Sequence, residues 1–261
     1  MTTKNRAILR EMVATDFKVR YQGSVLGYMW SLLKPLFLFA ILYVVFTYII
    51  PLGKDVAHYP VYLLTGIVLW NFFTEATMQG AASVVGRGDL IRKVSIPRYL
   101  VVVASILSAL INLGLSLVVV IIFALFNGVM PSFEWLIMIP IILELVILAT
   151  GLSFLLSALY VKFRDITYIW EIFLQAGFYA TPIIYPLTRV PEWLHKWFFI
   201  NPMAQIIQDA RYVIVTNTTT TLWTSVHSWV LLATPFIVVA VIFIAGALYF
   251  KRHSAYFAED I

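Results

Sequence analysis

The sequence predicts an all-α integral membrane protein with six transmembrane helices, an N-terminal cytoplasmic amphipathic helix, and short re-entrant helices between the fifth and sixth spans. Of its 261 residues, 62% are hydrophobic and 12% are charged, whereas soluble domains carry about 25% charged residues. The apolar residues also form long runs separated by basic loops. This composition excludes a soluble globular enzyme, and the lack of cysteine excludes disulfides and thiolate chemistry.

The first predicted element is an amphipathic helix ahead of the first span. Leu9, Val13, Phe17 and Tyr21 recur every four positions, and this spacing places them on one face of a helix. We interpret the segment as a helix at the cytoplasmic interface, with its basic residues facing lipid headgroups. A plain membrane anchor explains the same pattern.

Six apolar runs are interpreted as spans, because about 20 apolar residues cross about 30 Å of hydrocarbon. The runs lie at 35–50, 60–84, 100–126, 135–160, 167–185 and 229–250. We expect a single transmembrane domain over 1–261. Its parts would be a cytoplasmic entry (1–34), five spans (35–185), an external or re-entrant segment (186–228), the sixth span (229–250) and a cytoplasmic tail (251–261).

The distribution of basic residues predicts the orientation. Fourteen of the 18 lysines and arginines fall in the N-terminal segment, the second and fourth loops and the tail. Basic residues concentrate on the cytoplasmic side of membrane proteins. Both termini are therefore predicted to be cytoplasmic, which requires an even number of spans.

The segment 186–228 contains two pieces that cannot cross a membrane alone. The piece at 193–200 is apolar but short, and the piece at 203–215 carries four polar or charged side chains. We expect two short helices that dip into the outer leaflet and return. Such broken backbone is tolerated only against protein or a water-filled cavity, so this segment is predicted to border the outer end of a pathway.

The sequence offers little support for catalysis by this chain. Ser153 lies in a Gly-x-Ser tripeptide, but no histidine lies within a predicted span to act as its base. The phosphate-binding loop of ATPases is absent, so any ATP hydrolysis must belong to another polypeptide. Glu75, Glu144 and Glu171 lie in or near spans. They fit ion coupling, an enzyme acting on lipid-linked sugars, or structural hydrogen bonding around a wet cavity.

Aromatic residues make up 16% of the chain, and several lie deep within predicted spans. Aromatic faces can stack on the C–H faces of sugars while offering few fixed hydrogen bonds. Seven residues are therefore candidates for lining a path for a polymer, although contacts with lipid or other helices explain any one of them. These residues are Phe37, Tyr43, Trp70, Phe73, Trp170, Phe173 and Tyr179.

Several short stretches resemble the permease subunits of ATP-binding-cassette polysaccharide exporters of the O-antigen, teichoic acid and capsule type. They are DFKVRY at 16–21, YLLTG at 62–66, LIRKVSIPR at 90–98, FRDI at 163–166, TPIIYP at 181–186 and NPM at 201–203. One departure is Ile96, which stands before Pro97 where phenylalanine is expected. Drug-exporting relatives share the pattern more loosely, so a drug or lipid exporter of the same superfamily is an alternative.

The resemblance implies a homodimer in the bacterial cytoplasmic membrane, joined by two ATPase subunits that bind ATP and magnesium. It also implies a lipid-linked polysaccharide as substrate, contact with membrane lipids, and no cofactor or nucleic acid bound by this chain. The residues implied to contact the ATPase are Arg87, Asp89, Leu90, Ile91, Arg92, Lys93, Lys162, Arg164 and Asp165. Those implied to form an entrance helix for the carrier-lipid pyrophosphate are Arg6, Arg10, Phe17, Lys18, Arg20 and Tyr21.

Overall fold

The computed structural model describes residues 3–20, 24, 26–27, 29–50, 52–53, 56–93, 96–225 and 228–257. Within these ranges the chain is helical and contains no strand, which confirms the predicted all-α class. The helices are α1 (Thr3–Arg20), α2 (Met29–Val44), α3 (Tyr59–Gly86), α4 (Gly88–Lys93), α5 (Tyr99–Phe126), α6 (Met138–Lys162), α7 (Ile166–Ala180), α8 (Glu192–Phe198), α9 (Pro202–Ile214), α10 (Leu222–Ser225) and α11 (Trp229–His253).

Five helical segments of the described chain are long and apolar enough to cross a membrane. These segments are Met29–Ile49, Tyr59–Gly86, Tyr99–Phe126, Phe133–Lys162 and Leu231–His253. The chain is therefore a multi-pass membrane protein. The remaining predicted span, 167–185, contains α7, which has only 15 residues and is about 22 Å long at 1.5 Å per residue. The count of six spans stays a prediction.

Helix α3 forms the centre of the bundle. It is apolar around most of its circumference and buried along most of its length, as expected for a helix surrounded by other helices. Helices α5 and α6 pack on it, and α7 and α9 cover other parts of its surface. The Ser153 hydroxyl of α6 donates to the Ala76 carbonyl of α3 over 3.2 Å, so Ser153 serves to pack two helices.

Helices α6 and α11 approach closely because glycines face each other. A Cβ atom added to Gly246 would overlap the carbonyl oxygen of Gly151, and one added to Gly151 would overlap the backbone of Phe243. Small residues allow this backbone contact between membrane helices. The crossing fixes α11 against α6.

Helix α7 and the turn after it run antiparallel to α3. The Trp170 indole donates to the Thr77 hydroxyl over 2.9 Å, and Gly177 lies against the Trp70 ring. Beyond the helix, the Tyr59 hydroxyl donates to the carbonyl oxygen of Ile184 over 2.8 Å. Residues 166–184 therefore follow α3 from its C-terminal half to its first residue.

Both ends of the chain meet at one end of the bundle. Met12 of α1, Ile91 of α4, Val161 of α6 and Phe257 after α11 belong to one apolar cluster. We call this the basic end, because basic residues surround the cluster, and we call the opposite end, where α3 begins at Tyr59, the distal end. This arrangement agrees with an even number of crossings, and the placement of the basic end in the cytoplasm stays a prediction.

The segment 186–228 contains the two short helices that its sequence predicts, now α8 and α9. The Asn201 side chain accepts from the Met203 N–H over 3.0 Å and Pro202 opens α9, a favourable start for a helix. Helix α9 is buried along nearly its whole length, between α3, α6 and α11. Re-entry of these helices into a membrane stays a prediction.

Candidate functional site

The predicted ATPase-contacting loop forms the short helix α4 at the basic end. The Ile91 side chain is 92% buried in the apolar cluster of that end, and Leu90 packs against the same cluster while half-buried. The side chains of Asp89, Arg92 and Lys93 are exposed. Helix α4 is thus anchored by an isoleucine, and its charged side chains are exposed.

Arg87 lies at the start of this loop but is bonded within the chain. It forms an ion pair with Asp16 of α1 and donates a hydrogen bond to the carbonyl oxygen of Val101 over 3.4 Å. The predicted contact residue therefore joins α1, α4 and α5. The sequence interpretation missed Asp16, although it begins the DFKVRY stretch.

The second predicted contact forms the turn between α6 and α7, also at the basic end. Lys162, Arg164 and Asp165 are all exposed. The Arg164 guanidinium lies 5.4 Å from the centre of the Tyr160 ring, within the range of a cation–π interaction. The structure thus places the two predicted contact segments at the same end of the bundle.

Helix α1 lies across the basic end and packs on α5. Met12 is buried in the apolar cluster, and Leu9 and Val13 from the predicted apolar row pack against it. The predicted entrance cations with exposed side chains are Arg6, Arg10 and Lys18. The predicted entrance side chains outside the described residues are those of Phe17, Arg20 and Tyr21. The apolar face of α1 therefore packs on protein, and the side chains of Arg6, Arg10 and Lys18 face outward.

The seven aromatic residues that are candidates for lining a path fall into buried, half-buried and exposed groups. Trp70 and Phe73 are buried in the core between α3 and α7. Phe73 contacts Trp170 with ring centres 6.2 Å apart, and Trp170 stacks on Phe173 at 6.5 Å. Phe37, Phe173 and Tyr179 are exposed, whereas Tyr43 and Trp170 are half-buried. A continuous row of rings thus leads from the core to an exposed surface.

That exposed surface is the outward face of α7. Leu174 is the only α7 residue with a buried side chain, while Ile172, Phe173 and Tyr179 are each at least 65% exposed. On α2, Phe37 and Ile41 are also strongly exposed. Large apolar surface left bare by the fold faces lipid or another protein copy. We call these faces of α2 and α7 the aromatic face.

The distal end is held together by Arg211, whose role the sequence interpretation missed. The Arg211 side chain is fully buried and donates hydrogen bonds to the carbonyl oxygens of Tyr62, Pro182 and Ile183 over 3.0, 2.5 and 2.5 Å. Its guanidinium also lies 3.6 Å from the centre of the Tyr62 ring. Helix α9 is otherwise amphipathic, and this arginine stands among its apolar residues. That position was the sequence feature from which a buried role for Arg211 could have been predicted.

Among the three acidic residues, Glu144 contacts α9. Gln205 donates to Glu144 over 3.3 Å and to Asp209 over 2.7 Å through the same amide nitrogen. One carboxylate oxygen of Glu144 and one of Asp209 are buried without a hydrogen-bond partner among the described residues. The acid predicted as a functional candidate therefore belongs to a polar cluster that joins α6 to α9. Glu171 is exposed on α7.

Glu75 lines a cavity of about 870 Å³ between α2, α3 and α5. Its carboxylate accepts from Gln79 over 2.9 Å and from Asn112 over 2.6 Å. Lys34 and Asn71 also line this cavity. Glu75 therefore forms hydrogen bonds at the wall of a polar cavity. This is one of the interpretations that the sequence left open.

Comparisons with known proteins found one matching family and several similar proteins. Residues 9–215 match the protein family described as ABC-2 type transporter. The chain is 32% identical over 197 residues to an O-antigen export system permease protein RfbA of Klebsiella pneumoniae, with 75% of each chain covered. It is 30% identical over 204 residues to another RfbA of that species, covering 78% of each. It is 20% identical over 201 residues to the polysialic acid transport protein KpsM of Escherichia coli, covering 77% of this chain and 78% of the relative.

Proposed function

The chain belongs to the ABC-2 type transporter family, and on that premise we propose that it is the membrane-spanning subunit of an ATP-driven exporter of lipid-linked polysaccharide. The observation that carries the proposal is the similarity, over three quarters of the chain, to proteins named for the export of O-antigen and of polysialic acid. The described fold of long apolar helices suits such a subunit.

In this proposal, ATP and magnesium are bound by two separate ATPase subunits. Helix α4 and the α6–α7 turn would contact them, which is supported by the position of both segments at the basic end and by the exposed charges of Arg92, Lys93 and Arg164. Closure of the ATPase dimer would move α4 first. Because Ile91 is embedded in the apolar cluster, movement of α4 would be passed to α5 and α6.

We further propose that the basic end faces the cytoplasm of a bacterial cell. The bias of basic residues toward the cytoplasmic side supports this orientation, as does the meeting of both chain ends in one cluster. Helix α6 ends at the basic end, and α11 also ends there, so α11 begins at the distal end. The chain between Lys162 and Trp229 must therefore cross from the basic end to the distal end. Residues 166–184 lie alongside α3 and supply this sixth crossing in the proposal.

The translocation path in this proposal lies between two copies of the chain. The aromatic face supports this location of the path, because Phe37, Phe173 and Tyr179 expose large rings that no described residue of this chain covers. Rings of this kind can pass a sugar polymer along by weak stacking contacts. Trp70 and Phe73 would hold α7 in place from behind, and α1 would border the entrance for the anionic carrier headgroup.

Reconstitution with the ATPase tests the proposed function. The chain and its ATPase, purified together and placed in vesicles, are expected to hydrolyse ATP faster when carrier-linked glycan is added, and to move the glycan across the bilayer. Export of small drugs with no response to glycan would contradict the polysaccharide substrate. Chemical conversion of the glycan without ATP would indicate a membrane enzyme, and transport driven by a proton gradient alone would indicate an ion-coupled carrier.

A further inference from the structure

A second cavity, of about 500 Å³, lies at the basic end between the start of α5, the C-terminal part of α6 and the end of α11. We call it the tail cavity. Arg98, Tyr99 and Lys251 line its rim, while Phe154, Ala247 and Phe250 line its apolar part. The tail cavity is separate from the aromatic face, because neither α2 nor α7 lines it.

The rim of the tail cavity offers hydrogen-bond donors and two positive charges among the residues that the structure describes. The Arg98 guanidinium donates to the carbonyl oxygen of Ser254, which leaves further N–H donors of its five for a ligand. The Lys251 ammonium has no ion-pair partner within the described chain, and none of the described residues that line the cavity is acidic. Two cations on one rim therefore favour an anion.

The apolar part of the tail cavity lies about two helical turns inside the ends of α6 and α11. Phe154 lies eight residues before Lys162, where α6 ends, and Ala247 lies six residues before the end of α11. At 1.5 Å per residue these positions are roughly 12 Å and 9 Å from the helix ends. Leu248, the neighbour of Ala247, is 62% exposed on the outer surface of α11. A ligand here has both an anionic group at the rim and an apolar chain alongside the spans.

We propose that the tail cavity binds an anionic phospholipid of the leaflet that faces the basic end. The phosphate would lie between Arg98 and Lys251, with the Tyr99 hydroxyl as a further donor, and an acyl chain would lie against Phe154 and Phe250. Basic pockets between membrane helices on the cytoplasmic side suit such headgroups. A soluble partner would reach the rim but not the apolar part. This site goes beyond the proposed transport function, because it holds a bulk lipid rather than the exported one.

Lipid titration of the purified complex with its ATPase tests this site. The delipidated complex is titrated with short-chain phosphatidylglycerol and phosphatidylcholine, and bound lipids are counted by native mass spectrometry. Phosphatidylglycerol is expected to bind about tenfold or more tightly than phosphatidylcholine. Lys251→Gln is expected to weaken phosphatidylglycerol binding about fivefold. Arg252→Gln is the matched control, since Arg252 is exposed beside Lys251 and does not line the cavity.

Each other result overturns the proposal. Equal affinity for the two lipids, or equal losses in the Lys251 and Arg252 variants, would show that general surface charge explains the binding. Displacement of phosphatidylglycerol by excess inorganic phosphate would assign the rim to a free phosphate. Binding to the separated chain but not to the complex would assign the cavity to the ATPase. Lys251 is exposed, so folding is expected to be unchanged, and size-exclusion chromatography checks it.

Discussion

At the residue scale, Arg211 shows how a membrane protein can bury a permanent charge. A buried guanidinium is costly unless its donors are satisfied, and here backbone carbonyl oxygens satisfy them instead of an acid. Two of those carbonyls belong to Pro182 and Ile183, in the turn after α7, where carbonyl oxygens lack the acceptor role that a regular helix would give them. Arg211 thus completes the hydrogen bonding of a loop that packs against the core.

Replacing Arg211 by methionine is expected to lower the stability of the distal end. The substitution keeps most of the side-chain volume but leaves three buried carbonyl oxygens without donors, and each unsatisfied group costs about 1–3 kcal/mol. The unfolding midpoint of the purified chain, measured by differential scanning fluorimetry, should fall clearly. Arg10→Met, at an exposed arginine of the basic end, should leave it unchanged. Equal midpoints for both variants would contradict the structural role of Arg211.

The exposure of single residues was predictable where a residue lies at a helix end between apolar runs. Arg92, Lys93, Lys162 and Arg164 lie at helix ends between apolar runs, and all are exposed as expected. The hydrogen-bond partners of Arg211 were not predictable, because one of them, Tyr62, lies 149 residues away along the chain. The same reason applies to the aromatic candidates: burial of one ring and exposure of another depend on which helix packs against it.

At the element scale, different residues of helix α4 attach it to the bundle and would contact the ATPase. Ile91 is embedded in the apolar cluster and Leu90 packs against it, whereas the side chains of Asp89, Arg92 and Lys93 are exposed. The isoleucine was grouped with the contact residues because the sequence showed only one short loop. The structure therefore indicates that the variants of this loop should fall into two classes.

The double variant Arg92→Ala, Lys93→Ala is expected to disturb coupling without disturbing the fold. Transport per ATP hydrolysed in vesicles should fall severalfold, while the unfolding midpoint stays the same, because both side chains are exposed. Ile91→Ala should instead destabilise the basic end by about 2–4 kcal/mol through lost burial and lower the midpoint. Unchanged transport in the double variant would remove these charges from the ATPase contact.

The crossing of α6 and α11 gives a second expectation at this scale. Gly246→Val should force the helices apart, because its Cβ would overlap the carbonyl of Gly151, and overpacking of this kind costs about 1–3 kcal/mol. Gly114→Val in α5 is the control, since open space surrounds the Cβ position there. A lowered unfolding midpoint in the first variant alone is expected. Equal shifts would mean that helix propensity, not the crossing, determines the effect.

The bounds of most helices were predictable from apolar runs, with two exceptions. The first predicted run, 35–50, begins six residues after the start of α2 at Met29, and the fifth run ends wrongly for a local reason. The predicted span 167–185 continues five residues past the end of α7 at Ala180. Pro182 follows Thr181, and a residue before proline avoids helical backbone; Thr181 is accordingly extended, with φ −88° and ψ 141°. Hydropathy alone cannot distinguish an apolar helix from an apolar turn that Arg211 and Tyr59 hold in place.

At the scale of the whole molecule, the aromatic face is an exposed surface that no described residue of the chain covers. In the proposal, a second copy covers it. The lack of any cysteine allows a direct test, because single cysteines can be introduced without a background. Ile172→Cys on α7 is expected to cross-link two copies in membranes with a bifunctional maleimide. Ile111→Cys on α5, also exposed, should not. Similar dimer yields from both positions would contradict this placement of the interface.

The ion pair between Asp16 and Arg87 joins two segments with different proposed tasks. One belongs to α1, which would border the entrance, and the other begins the loop that would receive the ATPase. Their apolar residues Met12 and Ile91 also share a cluster. The two segments would consequently move as one rigid body. The entrance would then open at the same step of every cycle of ATP binding and hydrolysis. The ATPase would determine when substrate can enter, and diffusion of the substrate would determine only what fraction of openings admit a substrate molecule.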